Sequence, residues 1–79
     1  MLRNGLKLFM ADIVDEDTNE QIFWYVVGKT YDSALKRFIK EANKTWYRYG
    51  YYFYEIEDDE IIESFIEEYK SIKVGIYSI

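Results

Sequence analysis

The sequence contains no cysteine, no histidine and no proline. Without cysteine there are no disulfides, no thiolate chemistry and no cysteine-based zinc sites. Without histidine the chain lacks the commonest general base and the commonest transition-metal ligand. Without proline it has no proline-rich linker and no PxxP segment. Its four glycines are isolated, so no glycine-rich phosphate loop is present. No apolar run approaches the ~18 residues that a spanning helix needs. Residues 1–10 carry Arg3 and Lys7 but no apolar stretch of signal-peptide length. A cytoplasmic protein with no membrane partner is the expectation.

What is present is globular in character. The 79 residues are 49% hydrophobic and 32% charged, too apolar for a disordered chain. They make one small domain, 1–79. A chain this short buries only about 60% of its unfolded surface, so how it uses its apolar side chains matters.

The formal charge of −5 is unevenly spread. Residues 29–48 hold six bases (Lys29, Lys36, Arg37, Lys40, Lys44, Arg48) against Asp32 and Glu41, a local +4. Residues 1–28 carry −3 and residues 49–79 carry −6. A basic middle between two acidic ends is an asymmetry that the fold has to place somewhere.

Residues 6–14 (LKLFMADIV) read as a strand ending in the polar loop 15–20. Residues 22–27 (IFWYVV) are β-branched or aromatic throughout, and Gly28 closes them, so the two runs form a hairpin. Thr30 or Asp32 offers a helix cap. Ala34, Leu35, Phe38, Ile39 and Ala42 then fall on one face of a 3.6-residue period. Residues 46–56 (WYRYGYYFYEI) are the densest aromatic run and read as a third strand. Asp58 or Asp59 caps a second helix, with Ile61, Ile62, Phe65, Ile66 and Tyr69 as its apolar stripe. Residues 73–79 read as a short last strand. The order is β-β-α-β-α-β. At an offset of 27, Asp32 overlies Asp59 and Phe38-Ile39 overlies Phe65-Ile66, as two strand–cap–helix units built by the same rules would. Right-handed crossovers would set both helices on one face of a mixed sheet of about four strands, a two-layer α+β domain.

Such a sheet should alternate, apolar inside and polar outside. These strands do not. Leu6, Leu8, Met10 and Val14 oppose Phe9, Ala11 and Ile13. Ile22, Trp24 and Val26 oppose Phe23, Tyr25 and Val27, and Tyr47, Tyr49, Tyr51 and Phe53 oppose Tyr52, Tyr54 and Ile56. Two helices on one face would leave the other without cover, and a monomer rarely exposes that much continuous apolar surface. Either the second face docks a partner or a twin subunit, or one helix sits on each face. A third possibility is an outer face made mostly of tyrosine, which tolerates water at its hydroxyl; nine of the sixteen aromatics are tyrosine.

Few residues point to chemistry. Asp15, Asp17 and Asn19 occupy the first ligand positions of an EF-hand loop, but Glu20 stands where the turn needs glycine and Val26 where a bidentate glutamate is required. The acids from Glu55 to Glu63 suit a helix N-terminus. With Glu67 and Glu68 they also make an acidic rod that could imitate the phosphates of a duplex. Lys36, Arg37, Lys40 and Lys44, followed by Trp46, Tyr47, Arg48 and Tyr49, could instead bind single-stranded nucleic acid through bases and rings. The serines have no histidine to activate them, so no catalytic residue, metal or cofactor is expected.

Residues 6–56 form a hairpin, a capped helix opening Tyr31-Asp32-Ser33-Ala34, and an aromatic strand. In outline this resembles small phage-encoded inhibitor proteins, anti-CRISPR proteins among them, which are often acidic, cysteine-free single α+β domains. The resemblance rests on no diagnostic motif, so it carries over no functional residue. It implies an inhibitor acting in a host cytoplasm. The leading expectation is therefore a non-catalytic protein-binding module. Its contact anchors would be Trp24, Tyr49, Tyr51 and Tyr52, with charge contacts at Glu60, Glu63, Glu67 and Glu68. A nucleic-acid binder and a homodimeric accessory protein are the alternatives.

Overall fold

The computed structural model describes residues 2–79. After a 3-10 turn at Arg3–Gly5 the elements are β1 (Lys7–Asp15), β2 (Gln21–Gly28), α1 (Tyr31–Thr45), β3 (Tyr49–Glu55), α2 (Asp59–Glu68) and β4 (Gly75–Ser78). The α+β class, the four strands in one sheet and the two helices are as the sequence predicts. Two features differ, and both bear on function.

First, the sheet is antiparallel throughout rather than mixed. Its order is β3-β1-β2-β4. Strands β2 and β3 do run the same way, as a crossover through α1 requires, but β1 lies between them and pairs antiparallel with both. The two parallel strands therefore never become neighbours.

Second, the helices lie on opposite faces, giving three layers instead of two. Phe9, Ala11, Ile13, Val26 and Phe53 form one core with Ala34, Phe38 and Ala42 of α1. Leu8, Val27 and Ile56 form another with Ile62 and Phe65 of α2, joined by Leu2 and Leu6 from the N-terminal turn. Successive strand residues point to opposite faces, and each core takes one alternate set.

Local chemistry fixes both helices. Thr30 Oγ1 accepts from the Ser33 N–H at 3.1 Å and Ser33 Oγ accepts from the Thr30 N–H at 3.4 Å, a reciprocal cap on α1. Asp58 caps α2, its carboxylate accepting from the Glu60 N–H at 2.9 Å. Gly28 lets α1 turn back tightly onto the sheet, since a Cβ there would stand 3.0 Å from Cβ of Ala34. Across the first core, Phe53 stacks on Phe9 at 5.4 Å and on Phe38 at 5.6 Å.

Topology also sets how much of the sheet each helix covers. Helix α1 starts where β2 ends and must reach the far end of the sheet to start β3, so it runs lengthwise. Its 15 residues span about 22 Å. By contrast β3 and β4 are antiparallel, so β3 leaves and β4 begins at the same end. Helix α2 need only cross that end from one edge to the other, and its 10 residues span about 15 Å. The nine residues of β1 span about 30 Å. The α2 face is therefore covered at one end only.

Candidate protein-docking face

The uncovered half of the α2 face follows from the register. Asp12 of β1 lies between Phe23 of β2 and Tyr52 of β3; Val14 lies between Gln21 and Gly50; Met10 lies between Tyr25 and Tyr54. The Met10 row passes beneath α2, where Phe65 meets Tyr25 at 5.0 Å. Beyond it there is no helix. There Tyr52 is 76% exposed, Phe23 39% and Val14 37%, and at the β3 end of the Met10 row, on the boundary, Tyr54 is 49% exposed. In the middle of this surface the Asp12 carboxylate accepts from the Gln21 side-chain amide at 2.9 Å. The surface thus offers aromatic faces, one carboxylate and an oriented amide.

Its electrostatic setting comes from the helices. The acids Glu60, Glu63, Glu67 and Glu68 are exposed on α2, while Ile62 and Phe65 point into the core. Burial, and next the nearby Glu68 carboxylate, push the Tyr25 hydroxyl above its ordinary pKa; Tyr69 and Tyr54 add to the rise. Glu68 therefore lies near the Tyr25 hydroxyl, in the row that α2 covers. The bases Lys36, Arg37, Lys40 and Lys44 are exposed on α1, across the sheet. The charge asymmetry along the sequence becomes an asymmetry through the molecule, with bases over one face and acids over the other. Phe23, Tyr52 and Tyr54 share the acidic side, whereas exposed Tyr31 and Tyr51 lie on the side of α1.

The four aromatic anchors expected from sequence separate accordingly. Tyr52 stands on the bare half. Trp24, Tyr49 and Tyr51 belong to the α1 face. The Trp24 ring is 4.9 Å from that of Trp46 and 6.0 Å, edge-on, from that of Phe38. The Tyr49 hydroxyl donates to Asn43 Oδ1 at 2.7 Å, and burial, then Tyr51, raise its pKa. Tyr51 is 42% exposed along the β3 edge, with its ring 5.2 Å from Phe38. Phe23, Tyr54 and Val14 were not singled out from sequence. The signal for them was in the alternation of the strands, but it became readable only once α2 was known to cover one end. In the basic segment, Arg48 donates to Asp17 Oδ1 at 2.9 Å, and of the aromatics there only Tyr47 is largely exposed, at 90%.

Among the described residues no three acidic side chains converge as a metal site would require, and no helix is long and apolar enough to cross a membrane. Comparisons with protein-family models, curated proteins and solved structures give no match.

Proposed function

We propose that the chain is a non-catalytic protein-binding module that docks a basic partner on the bare half of its α2 face. The observation that carries this reading is the placement of Phe23, Tyr52 and Tyr54, exposed on the same side of the sheet as the acidic helix. Aromatic faces attract guanidinium and ammonium groups, and desolvation strengthens that attraction. Flanking carboxylates steer such a partner and repel nucleic acid. A second copy is a poor occupant of this face, since face-to-face pairing would bring two acidic helices together. A protein whose basic groove ordinarily holds nucleic acid has the complementary chemistry. An inhibitor occupying that groove is the form of this function suggested by the likeness to small phage-encoded inhibitors.

The test is site-specific photo-crosslinking. A photoreactive phenylalanine analogue replaces Tyr52 in one protein and Lys40, on the far face, in another. A partner captured from position 52 and not from position 40 is then purified and its binding measured. Binding should fall at least tenfold with Glu63→Lys plus Glu67→Lys, and again with Tyr52→Ala. Equal capture at both positions, or binding indifferent to both changes, refutes the proposal.

A further inference from the structure

The two edges of the sheet are protected unequally. Strand β4 is an edge of four residues, too short to template much pairing. Strand β3 is an edge of seven residues, and it has no lysine, no proline and no bulge; its register with β1 is one-to-one from Tyr49 to Glu55. Its hydrogen-bonding direction can be read from its ends. The Ile56 N–H donates to the Leu8 carbonyl at 2.8 Å, and the Arg48 carbonyl accepts from the Glu16 N–H at 3.0 Å. In an antiparallel ladder the N–H and C=O of one residue point the same way and the next residue's point the other. Gly50, Tyr52 and Tyr54 therefore face β1, and Tyr49, Tyr51, Phe53 and Glu55 turn their N–H and C=O groups outward. One of these carbonyls, that of Phe53, accepts from the Tyr31 hydroxyl at 3.2 Å; it keeps a second lone pair.

We propose that two copies of the chain join by antiparallel pairing of their β3 edges, with Tyr51 facing its counterpart across a two-fold axis. From Tyr49 to Tyr54 the strand is uncharged, so no like charges are opposed along the seam. The flanks differ in sign. Lys44 and Arg48 lie at the start of the strand, and Glu55, Glu57 and Asp58 at its end. Antiparallel pairing sets the start of one strand beside the end of the other. Arg48 is shared with Asp17, which makes exposed Lys44 the principal cation at that end. An antiparallel edge is self-complementary, so the assembly closes at two copies. The pairing adds one seam of backbone bonds and little apolar area, and the dimer is accordingly weak. It is independent of the docking face, whose side chains project across the sheet rather than along its edge.

The experiment is sedimentation of the full chain from low micromolar to millimolar concentration, with amide hydrogen exchange at both extremes. The weight-average mass should climb from one chain toward two and stop there, with exchange slowing at the Tyr49, Tyr51 and Phe53 amides. Tyr51→Lys, which sets two cations against each other on the axis, should abolish the rise. Lys44→Glu and Glu57→Lys should each weaken dimerisation about threefold, and the two together should restore it, a recovery that damage to the fold cannot produce. A one-chain mass at every concentration overturns the proposal. So does growth beyond two chains, a dimer whose β3 amides exchange unchanged, or a double variant no better than the singles.

Discussion

Phe65 of α2 meets the ring of Tyr25 edge-on at 5.0 Å, and two residues earlier on the same strand Phe23 has no helix above it. That boundary divides a face that holds the fold together from a face left open. It also places the Tyr25 hydroxyl where the core, Glu68 and two other tyrosines meet.

Alkaline stability follows from that placement. Burial, then Glu68, raise the pKa of Tyr25; burial, then Tyr51, raise that of Tyr49. A folded-state value above the unfolded one, 10.0, means that the native protein holds these protons more tightly. The contribution is fully present below pH 10.0 and is lost as pH rises through the folded pKa. Unfolding free energy should therefore fall above that pH, and phenolate absorbance of the native protein should show two tyrosines lagging the rest. Glu68→Gln should shorten the lag of Tyr25 and leave that of Tyr49 in place. Two tyrosines that ionise with the others would contradict the assignment.

The contrast between the two faces predicts opposite responses to truncation. Phe38 is fully buried, with the rings of Phe53, Tyr51 and Trp24 around it. Phe38→Ala should cost about 3–5 kcal/mol in denaturant titrations. Tyr52, mostly in water, should cost less than about 0.5 kcal/mol as Tyr52→Ser. A large loss at Tyr52 would mean that the aromatic half-face serves the fold rather than a partner.

The contrast also shows what the sequence could and could not disclose. Alternation separated Phe9, Ala11 and Ile13 from Leu8, Val26 from Val27, and Phe53 from Ile56, as the two cores do; which sets share a face follows from the strand pairing. Each cap was narrowed to two residues, Thr30 or Asp32 and Asp58 or Asp59, of which the structure uses Thr30 and Asp58. The insertion of β1 between β2 and β3 was not legible, because pairing partners depend on contacts far apart in the chain and no local propensity encodes them. The side of the sheet on which α2 packs depends on that order in turn. The surplus of ring-bearing strand residues left open an uncovered face, a helix on each face, or a tyrosine-rich outer face, and the structure has a helix on each face. Helix α2 covers one end of its face, and what remains open is the half bearing Phe23 and Tyr52, with Tyr54 on the boundary.

The start of α1 is a further point of control. Thr30 Oγ1 satisfies the Ser33 N–H, and Ser33 Oγ satisfies both the Thr30 N–H and the Thr30 hydroxyl. Thr30→Ala should cost about 1 kcal/mol, and Thr30→Asp should recover most of it. Two residues earlier, Gly28→Val should be worse than either, at about 1–3 kcal/mol, because its Cβ would press on Ala34. If Gly28→Val were neutral, the close approach of α1 to β2 would not be needed for the fold.

The basic side of the molecule gives the last prediction. Binding of single-stranded nucleic acid there would need rings on which bases can stack beside Lys40, Lys44 and Arg48. Trp46 is held against Trp24 at 4.9 Å, the Tyr49 hydroxyl is engaged by Asn43 at 2.7 Å, and the Arg48 guanidinium by Asp17 at 2.9 Å. Of the rings from Trp46 to Tyr49, Tyr47 alone is left as a largely exposed platform, and one ring supplies only about 1–3 kcal/mol. An oligonucleotide should therefore bind weakly and be released by modest salt, with Tyr47→Ala changing little beyond what Lys44→Gln does. Tight binding lost on Tyr47→Ala, with a salt dependence recording several phosphate contacts, would transfer the function to the α1 face and leave the acidic side as its solvated back.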